Sequence, residues 1–524
     1  MKKLGIIKVL RGMIYILPAV LYLSYYPVIS LGMTGTMNLE LSVPIIWLVV
    51  FDMLAVIGVI KTKKTKVIAG KWYYYLFPFF VTISLFWSSN LLRGLLTVGL
   101  MWAVVIALMA FMILRKEIFD AKCKKNFWKW FFGASLVACL WCFIQCILDL
   151  AGVSRECSLL CLGCTYKMFG FPHPNGFAVE PQFMGNLLLA PTIISAAIMT
   201  GFDGLPHLGS RPLGPSPRAS GANSRAAALR NTPSLWQFRH PFKIVLMLFV
   251  FATTLFLTFS RGAIYAFVVA MIFMSSYLLV KARKKKIMMK RVGLTWAAIV
   301  VSFLFTLNIQ GIMTEISPTD DNYVDGVSRV ISQLSLGVIN IKTSDSDEQN
   351  RDNSGVQPVE NSVENSVDNL VENSTDEASF DGYVPESTDV RVKLTNVALE
   401  LWKSDIKNIL FGVGIGGAGQ ALYDAGLIDS PKEIVQNEYA SLLLEVGIIG
   451  VLFALLMVVT MCKWLWIRPG FQMVLPLIVA YLVSLCFFSG LPNALHIYLL
   501  PAVLCLASGG SLITRIKKPL LSKG

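Results

Sequence analysis

Two arginines stand where the chain could hold an anionic ligand. Arg261 lies in a short Phe-Ser-Arg-Gly-Ala sequence between two apolar segments, and Arg391 opens the stretch that runs to Trp402. A guanidinium group donates two parallel hydrogen bonds to a phosphate or carboxylate, so both residues suit a negatively charged ligand. Simpler roles stay open, because Arg261 can extend to lipid headgroups and Arg391 can pair with a nearby carboxylate.

A second polar group follows a glycine-rich stretch, residues 411–417, which reads FGVGIGG. These glycines superficially resemble a nucleotide-binding turn, but no βαβ pattern surrounds them, which favours a backbone turn at the membrane surface. Asn437 and Glu438 come next and suit either ligand contacts or the start of a helix. Glu445 falls where an apolar segment begins, a costly position for an ionisable group unless it faces a cavity or a partner.

The composition of the chain indicates which secondary-structure elements hold these residues in place. Hydrophobic residues make up 55% of the 524 and charged residues 15%, against about 25% charged in soluble domains. The apolar residues form blocks of about twenty, the length of a helix that crosses a bilayer, and they lack the period-two alternation of a barrel. We predict an all-α polytopic membrane protein with about twelve spans, at 12–30, 43–60, 72–88, 93–114, 131–151, 181–200, 243–259, 262–280, 292–310, 443–461, 471–489 and 493–510.

Charge alternates between the segments that connect these spans. One set is basic, and positive-inside bias places it in the cytoplasm together with both termini. The other set is nearly free of Lys and Arg or is acidic. We therefore attribute the net charge of +14 to clusters of Lys and Arg that set the membrane topology and contact lipid headgroups. It does not predict a nucleic-acid partner. The basic set comprises 2–11, 61–66, 115–129, 211–243, 281–291, 463–468 and 515–518.

Three regions follow from this pattern. Residues 1–310 carry nine spans and a disordered cytoplasmic insert at about 201–241, which is rich in Arg, Pro, Ser and Gly. Residues 311–442 form an external loop with 23 acidic and 8 basic residues. Its four-residue repeat predicts a solvated tether at about 341–385, and helical spacing from Val392 predicts a surface helix before the glycine-rich turn. Residues 443–524 carry three spans and a basic tail.

The order of these motifs resembles the O-antigen ligase and polymerase superfamily. The chain has Ser-Arg-Gly at 260–262, the segment 391–402, a Gly-x-Gly turn, and an asparagine followed by nine residues and Gly-x-x-Gly at 437–450. The resemblance implies a glycosyltransferase of C-type architecture with a long external loop between late spans. It also implies a polyprenyl-diphosphate-linked glycan donor, a glycan or glycolipid acceptor at the outer face of the cytoplasmic membrane, and no cofactor, nucleotide sugar or required metal.

The resemblance also assigns roles. Arg261 and Arg391 match the family's arginines, which stabilise the charge of the departing diphosphate. Lys167 is a third candidate for this contact. Asn175 and Glu180 match the family's first external loop and are expected to bind substrate.

This sequence departs from the ligase pattern at one position. Gln436 stands where ligases have a histidine before the asparagine, here Asn437, which is expected to bind substrate. Glutamine can orient an acceptor hydroxyl but cannot take up its proton at neutral pH. Glu438 or Glu180 is then the candidate base, or the reaction needs little base assistance. The Glu180-Pro181 pair resembles the polymerases more than the ligases, and the sequence leaves that choice open.

Two other functions compete with glycan transfer. A flippase for lipid-linked glycans is the main alternative, although transporters tend to show repeated halves and midplane polar sites, which this sequence lacks. An inactive membrane scaffold is the third. The cysteines at 157, 161 and 164 have iron–sulfur spacing, but an external loop favours a local disulfide or free thiols. The four histidines form no metal-ligand spacing, and His173 is placed near Asn175.

Overall fold

A computed structural model describes most of the chain. The described residues are 2–24, 28–34, 37–64, 72–151, 165–168, 171–178, 180–202, 241–281, 285–316, 322–335, 380–431, 435–468, 470–489 and 494–508. Residues 341–379 of the predicted tether, which include the repeat, lie outside the described residues, and its end at 380–385 is helical. Most of the insert at about 201–241, the C-terminal tail and the three cysteines at 157, 161 and 164 also lie outside the described residues.

The described residues fold mainly into helices. In chain order these are α1 (Lys2–Tyr22), α2 (Val43–Lys61), α3 (Leu76–Ser84), α4 (Leu91–Ile113), α5 (Arg115–Ile118), α6 (Ala121–Leu150), α7 (Pro181–Thr200), α8 (Pro241–Leu257), α9 (Arg261–Lys281), α10 (Lys285–Ile316), α11 (Tyr323–Leu334), α12 (Phe380–Lys403), α13 (Ile406–Phe411), α14 (Ala418–Asp424), α15 (Glu438–Trp466), α16 (Phe471–Ser484) and α17 (Leu495–Ser508). Short 3₁₀ helices at Trp72–Tyr75 and Leu85–Trp87 flank α3.

Two antiparallel hairpins join the helices. Strand β1 (Val28–Thr34) pairs with β2 (Met37–Ser42), and β3 (Thr165–Met168) pairs with β4 (Phe171–Pro174). The first hairpin corrects the predicted span at 12–30, because α1 ends at Tyr22. Residues 28–30 are extended and pair with residues 40–42, so their backbone groups bond across the hairpin instead of within a helix.

Eight helices among the described residues are long and apolar enough to cross a membrane. They establish a polytopic all-α membrane protein. Four shorter apolar helices, at Tyr73–Trp87, Phe242–Leu257, Phe471–Ser484 and Leu495–Ser508, overlap the four other predicted spans. The spacing from Val392 corresponds to α12.

Helix α7 lies at the centre of the bundle and packs against α6, α8, α9, α10 and α16. Protein atoms bury 83% of its candidate span, compared with 28% for α10 and 22% for α15. The latter two therefore present most of their surface to lipid. Because α7 is enclosed, the residue at its N-terminus, Glu180, is held by protein on several sides.

Several basic segments that the sequence analysis assigns to the same side of the membrane meet at one end of the bundle. Arg11 of α1 forms an ion pair with Asp120 at 2.6 Å and donates to the Glu117 backbone carbonyl. Lys64, after α2, pairs with the Glu117 carboxylate at 2.6 Å. Three segments of the predicted cytoplasmic set thus meet at one end.

Candidate functional site

Arg261 begins α9 directly after a strained turn. Phe259 has a φ of 48°, a conformation that bulky side chains rarely adopt and that commonly marks a functional constraint. Its ring packs 4.9 Å from the His173 ring and contacts Val330. The Ser260 carbonyl then accepts the first helical bond, from the Ile264 N–H at 2.9 Å. The turn therefore fixes the position from which the partly buried Arg261 side chain extends.

Two glycines allow close packing around this turn. A side chain at Gly185 of α7 would lie 2.6 Å from the Ser260 Cβ. A side chain at Gly262 would lie 2.6 Å from the Phe487 Cβ. The start of α9 is therefore pressed between α7 and the turn at 485–488, which follows α16.

Glu180 and Arg391 come together from different parts of the chain. Glu180 immediately precedes α7, and its neighbour Gln182 donates to the Phe487 carbonyl at 2.8 Å. Glu180 remains solvent-accessible, yet the surrounding protein desolvates its carboxyl and raises the pKa, while the positive charge of Arg391 acts to lower it. The charge of Arg391 on α12 therefore reaches the Glu180 carboxyl.

The start of α15 reaches the same turn. The Glu438 N–H donates to the Leu485 carbonyl at 3.0 Å, and the Tyr498 hydroxyl hydrogen-bonds the Glu438 carboxylate. Asn437 caps the helix by accepting from the Tyr439 and Ala440 N–H groups at 3.1 and 3.2 Å. This is the helix-start role that the sequence left open for Asn437.

We use the name arginine site for five residues. Arg261, Glu180 and Glu438 lie at helix starts that contact the turn at 485–488, Gln436 lies two residues before Glu438, and the charge of Arg391 acts on Glu180. Helices α7, α9 and α15 all begin here, so their positive dipole ends lie near one another. The amide oxygen of Gln436 is buried and has no hydrogen-bond partner among the described residues. The arrangement can bind an anion and offers a carboxylate beside it.

The structure corrects the expected substrate contact by Asn175. Its side chain is fully buried, accepts from the Gln145 amide at 3.1 Å and donates to the Ala178 carbonyl at 3.1 Å. Gln145 of α6 also accepts from the Gly176 N–H at 2.9 Å. Asn175 therefore holds the loop at 173–178 in shape and is not exposed to a ligand.

Two further candidates lie in this part of the chain. His173 is buried, which lowers its pKa to about 3, so it is neutral and packed against Phe259. Lys167 lies in β3 opposite Pro172, and its side chain lies outside the described part of the chain.

Residues 412–417, here called the glycine turn, form a second polar region. The Val413 and Gly414 N–H groups donate to the Leu444 and Glu445 carbonyls, both at 2.9 Å. These carbonyls are available because Gly447, with φ 62° and ψ −173°, interrupts α15. The Gly414 backbone also lies so close to Ser88 that any side chain at position 414 would collide with it.

Serines and an arginine that the sequence analysis missed complete this region. Ser88 and Ser89 donate to the carbonyls of residues 415 and 417 at 2.8 and 2.9 Å. The Glu445 carboxylate accepts backbone bonds from residues 416 and 418 and interacts with the charge of Arg93. The run Ser88-Ser89-Asn90 between two apolar segments was the available signal.

No group of three or more metal-ligating side chains occurs among the described residues. Residues 246–455 match a family model described as O-antigen ligase. The matched segment contains Arg261, Arg391, Gln436, Glu438 and the glycine turn, whereas Glu180 precedes it. No curated protein and no solved structure matches the chain. The family match supports membership of the O-antigen ligase and polymerase superfamily.

Proposed function

We propose that this member of the O-antigen ligase and polymerase superfamily is a membrane glycosyltransferase. It transfers or polymerises glycan from a polyprenyl-diphosphate donor onto an acceptor hydroxyl at the outer face of the cytoplasmic membrane. The chain then crosses the membrane twelve times with both termini in the cytoplasm. The meeting of Arg11, Lys64 and Glu117 at one end of the bundle supports this topology, because these residues come from three basic segments assigned to the cytoplasm.

The observation that carries the proposal is that three helix N-termini meet at the turn at 485–488. One of these helices begins with Arg261, and the charge of Arg391 acts on Glu180 at the start of another. In the reaction, the acceptor oxygen attacks the anomeric carbon of the donor sugar. The bond from that carbon to the phosphate oxygen breaks, and the diphosphate leaves with the electron pair. Guanidinium groups and helix dipoles stabilise the negative charge that develops on this leaving group.

Glu180 is the proposed general base. Desolvation raises the pKa of its carboxyl, and a carboxylate with a raised pKa takes up a proton more readily than a free one. Its position beside Arg391 places the base next to the proposed diphosphate site. Glu438 is less suited, because its carboxylate already accepts from Tyr498.

Gln436 is proposed to orient the acceptor. Its buried amide oxygen has no hydrogen-bond partner among the described residues, and a buried acceptor of this kind gains most when a donor reaches it. A sugar hydroxyl supplies such a donor. This role compensates in part for the absence of the histidine that ligases carry at this position.

The test uses the purified chain in lipid nanodiscs with a polyprenyl-diphosphate-linked oligosaccharide. Formation of a longer lipid-linked glycan or a glycosylated lipid, with release of polyprenyl diphosphate, is the expected result. Arg261→Ala should abolish transfer, whereas Lys407→Ala, which removes an exposed cation on α13, should not. Movement of the intact lipid-linked glycan across liposome membranes without any transfer would instead identify a flippase.

A further inference from the structure

Arg93, in the first turn of α4, is a cation that the proposed reaction does not use. The start of α4 packs on the glycine turn, because a side chain at Gly94 would lie 2.7 Å from the Ile415 carbonyl oxygen. The Arg93 N–H donates at 3.1 Å to the side chain of Asn90, which caps the helix. These contacts fix the backbone from which the Arg93 side chain extends.

The guanidinium group of Arg93 is half-buried and forms no ion pair or hydrogen bond with the residues that the structure describes. Its charge acts on the Glu445 carboxylate, but that carboxylate already accepts from the backbone of residues 416 and 418. The positive end of the α4 dipole lies in the same helical turn as Arg93. A guanidinium and a helix N-terminus together attract a phosphate group.

The surroundings of Arg93 place it at the edge of the bilayer. Leu91 in the same helical turn is exposed, and Phe86 is 90% exposed, so both side chains suit contact with hydrocarbon. The half-buried Trp87 packs edge-on to Phe411, with 6.2 Å between ring centroids, and tryptophan is enriched where hydrocarbon meets lipid headgroups. This position suits the phosphate of a lipid better than a free anion.

Arg93 is near the arginine site but separate from it. The glycine turn, which α4 contacts through Gly94, donates from Gly414 to the backbone carbonyl of Glu445 on α15. Glu438 begins the same helix seven residues earlier, a distance of about 10 Å at 1.5 Å per residue. Arg93 and the arginine site thus both adjoin the first part of α15, where two membrane-anchored molecules can bind side by side.

We propose that Arg93 binds the phosphate of the acceptor lipid, an inference that rests on the proposed function. Transfer between two lipid-anchored glycans brings two headgroups to the outer membrane surface, and Arg261 and Arg391 are assigned to the diphosphate of the donor. Arg93 and the N-terminus of α4 supply positive charge for the headgroup of the acceptor. The acceptor is then a glycolipid of the outer leaflet that carries phosphate near the membrane, and a neutral glycolipid is a poor acceptor.

The experiment measures transfer from a labelled polyprenyl-diphosphate oligosaccharide to two acceptors in phosphatidylcholine nanodiscs. Both acceptors carry the same oligosaccharide and the same polyprenyl chain. One is joined through a C-glycosidic phosphonate, which keeps the negative charge but cannot act as a donor, and the other through a neutral ether. The wild-type KM should be about tenfold lower for the charged acceptor, the effect of one hydrogen bond between charged groups.

Arg93→Gln should raise the KM for the charged acceptor to that for the neutral one, with kcat and the KM for the donor unchanged. Lys407→Ala, which removes an exposed cation on α13, is the matched control and should behave as the wild type. Equal KM values for the two acceptors in the wild type would overturn the proposal without any variant. A preference for the charged acceptor that survives Arg93→Gln would also overturn it.

A double variant separates phosphate binding from a structural role. If Arg93 only offsets the charge of Glu445, then Arg93→Gln combined with Glu445→Gln should regain the wild-type KM for the charged acceptor, which would contradict the proposal. If Arg93 binds phosphate, the KM should stay raised in the double variant.

A binding measurement distinguishes failure of this proposal from failure of the proposed function. The charged acceptor with a photoreactive group beside its phosphonate should crosslink to residues 86–93 in the wild type and in Arg261→Ala, but not in Arg93→Gln. This crosslink without any transfer activity would overturn the proposed function and support the phosphate site at Arg93, and transfer without the crosslink would do the reverse. Phosphatidylglycerol that displaces the acceptor at equal concentration would show a general anionic-lipid surface and overturn the acceptor assignment.

Discussion

The arginine site and the glycine turn both contain polar groups in a protein that is otherwise apolar. They differ in how far those groups are bonded within the protein. In the glycine turn, backbone N–H groups donate to backbone carbonyls and to the Glu445 carboxylate, and serine hydroxyls donate to backbone carbonyls. The arginine site contains the partly buried Arg261 and Arg391, the accessible Glu180 and the buried amide oxygen of Gln436. A saturated network stabilises the fold, whereas charged groups at an accessible surface can act on a ligand.

The comparison also explains why α15 is interrupted at Gly447. An interrupted helix at membrane depth is tolerated only when other protein groups satisfy the released backbone. The glycine turn supplies those groups to α15, since Val413 and Gly414 donate to the carbonyls before Gly447. The interruption thereby fixes the first part of α15, whose start at Glu438 belongs to the arginine site.

The largest effect is expected when the glycine turn is disrupted. Gly414→Ala places a methyl group against the Ser88 backbone at a φ of 94°, and strain together with overpacking costs more than about 3 kcal/mol. We expect loss of monodisperse protein on size-exclusion chromatography in detergent. Gly426→Ala is the control, because φ is 67° there but the space is open, so the cost should be about 1–2 kcal/mol. Equal yields of the two variants would contradict the saturated-network interpretation.

The next largest effect is a loss of catalytic rate without a loss of protein stability. Arg391→Ala should reduce kcat by about 10²–10³, the usual loss for one stabiliser of transition-state charge, with normal yield and thermal stability. Lys393→Ala removes an exposed cation two residues away on α12 and should keep full activity. If Arg391→Ala loses stability and activity in parallel, Arg391 belongs to the structural network instead.

A smaller effect concerns pH. If Glu180 is the base, transfer requires its ionised form and falls as pH decreases through its pKa, which lies above the ~4.3 of a free glutamate. Glu180→Gln should remove this acidic limb and lower kcat about a hundredfold, the lower end for a general base. Glu438→Gln is measured beside it. Retention of the limb in Glu180→Gln and its loss in Glu438→Gln would transfer the role to Glu438.

The smallest effect tests Asn437. As a helix cap it should contribute about 1 kcal/mol, so Asn437→Ala should slightly lower the thermal midpoint and leave KM unchanged. Asn437→Asp keeps the capping oxygen and should restore stability. A raised KM with unchanged stability would favour the substrate contact that the sequence analysis first assigned.

Some of the site was accessible from the sequence. Arg261 and Arg391 were identified from local motifs, and the helix around Arg391 from its apolar spacing. By contrast, the family resemblance assigned Asn175 to substrate binding, and a loop asparagine has the same appearance in the sequence whether it is buried or exposed. Its partner Gln145 lies in a separate apolar helix, and Ser88 and Ser89 contact the glycine turn from far away in the chain.

The sequence by itself determined that this chain is a polytopic helical membrane protein, because the cost of placing residues in hydrocarbon is set by each local block of side chains. The motif order likewise indicated the superfamily. Only the tertiary structure brought the charge of Arg391 to act on Glu180 and interrupted α15 against the glycine turn. These features depend on which distant helices pack together, and that packing is decided by the shapes of whole side-chain surfaces rather than by any local pattern.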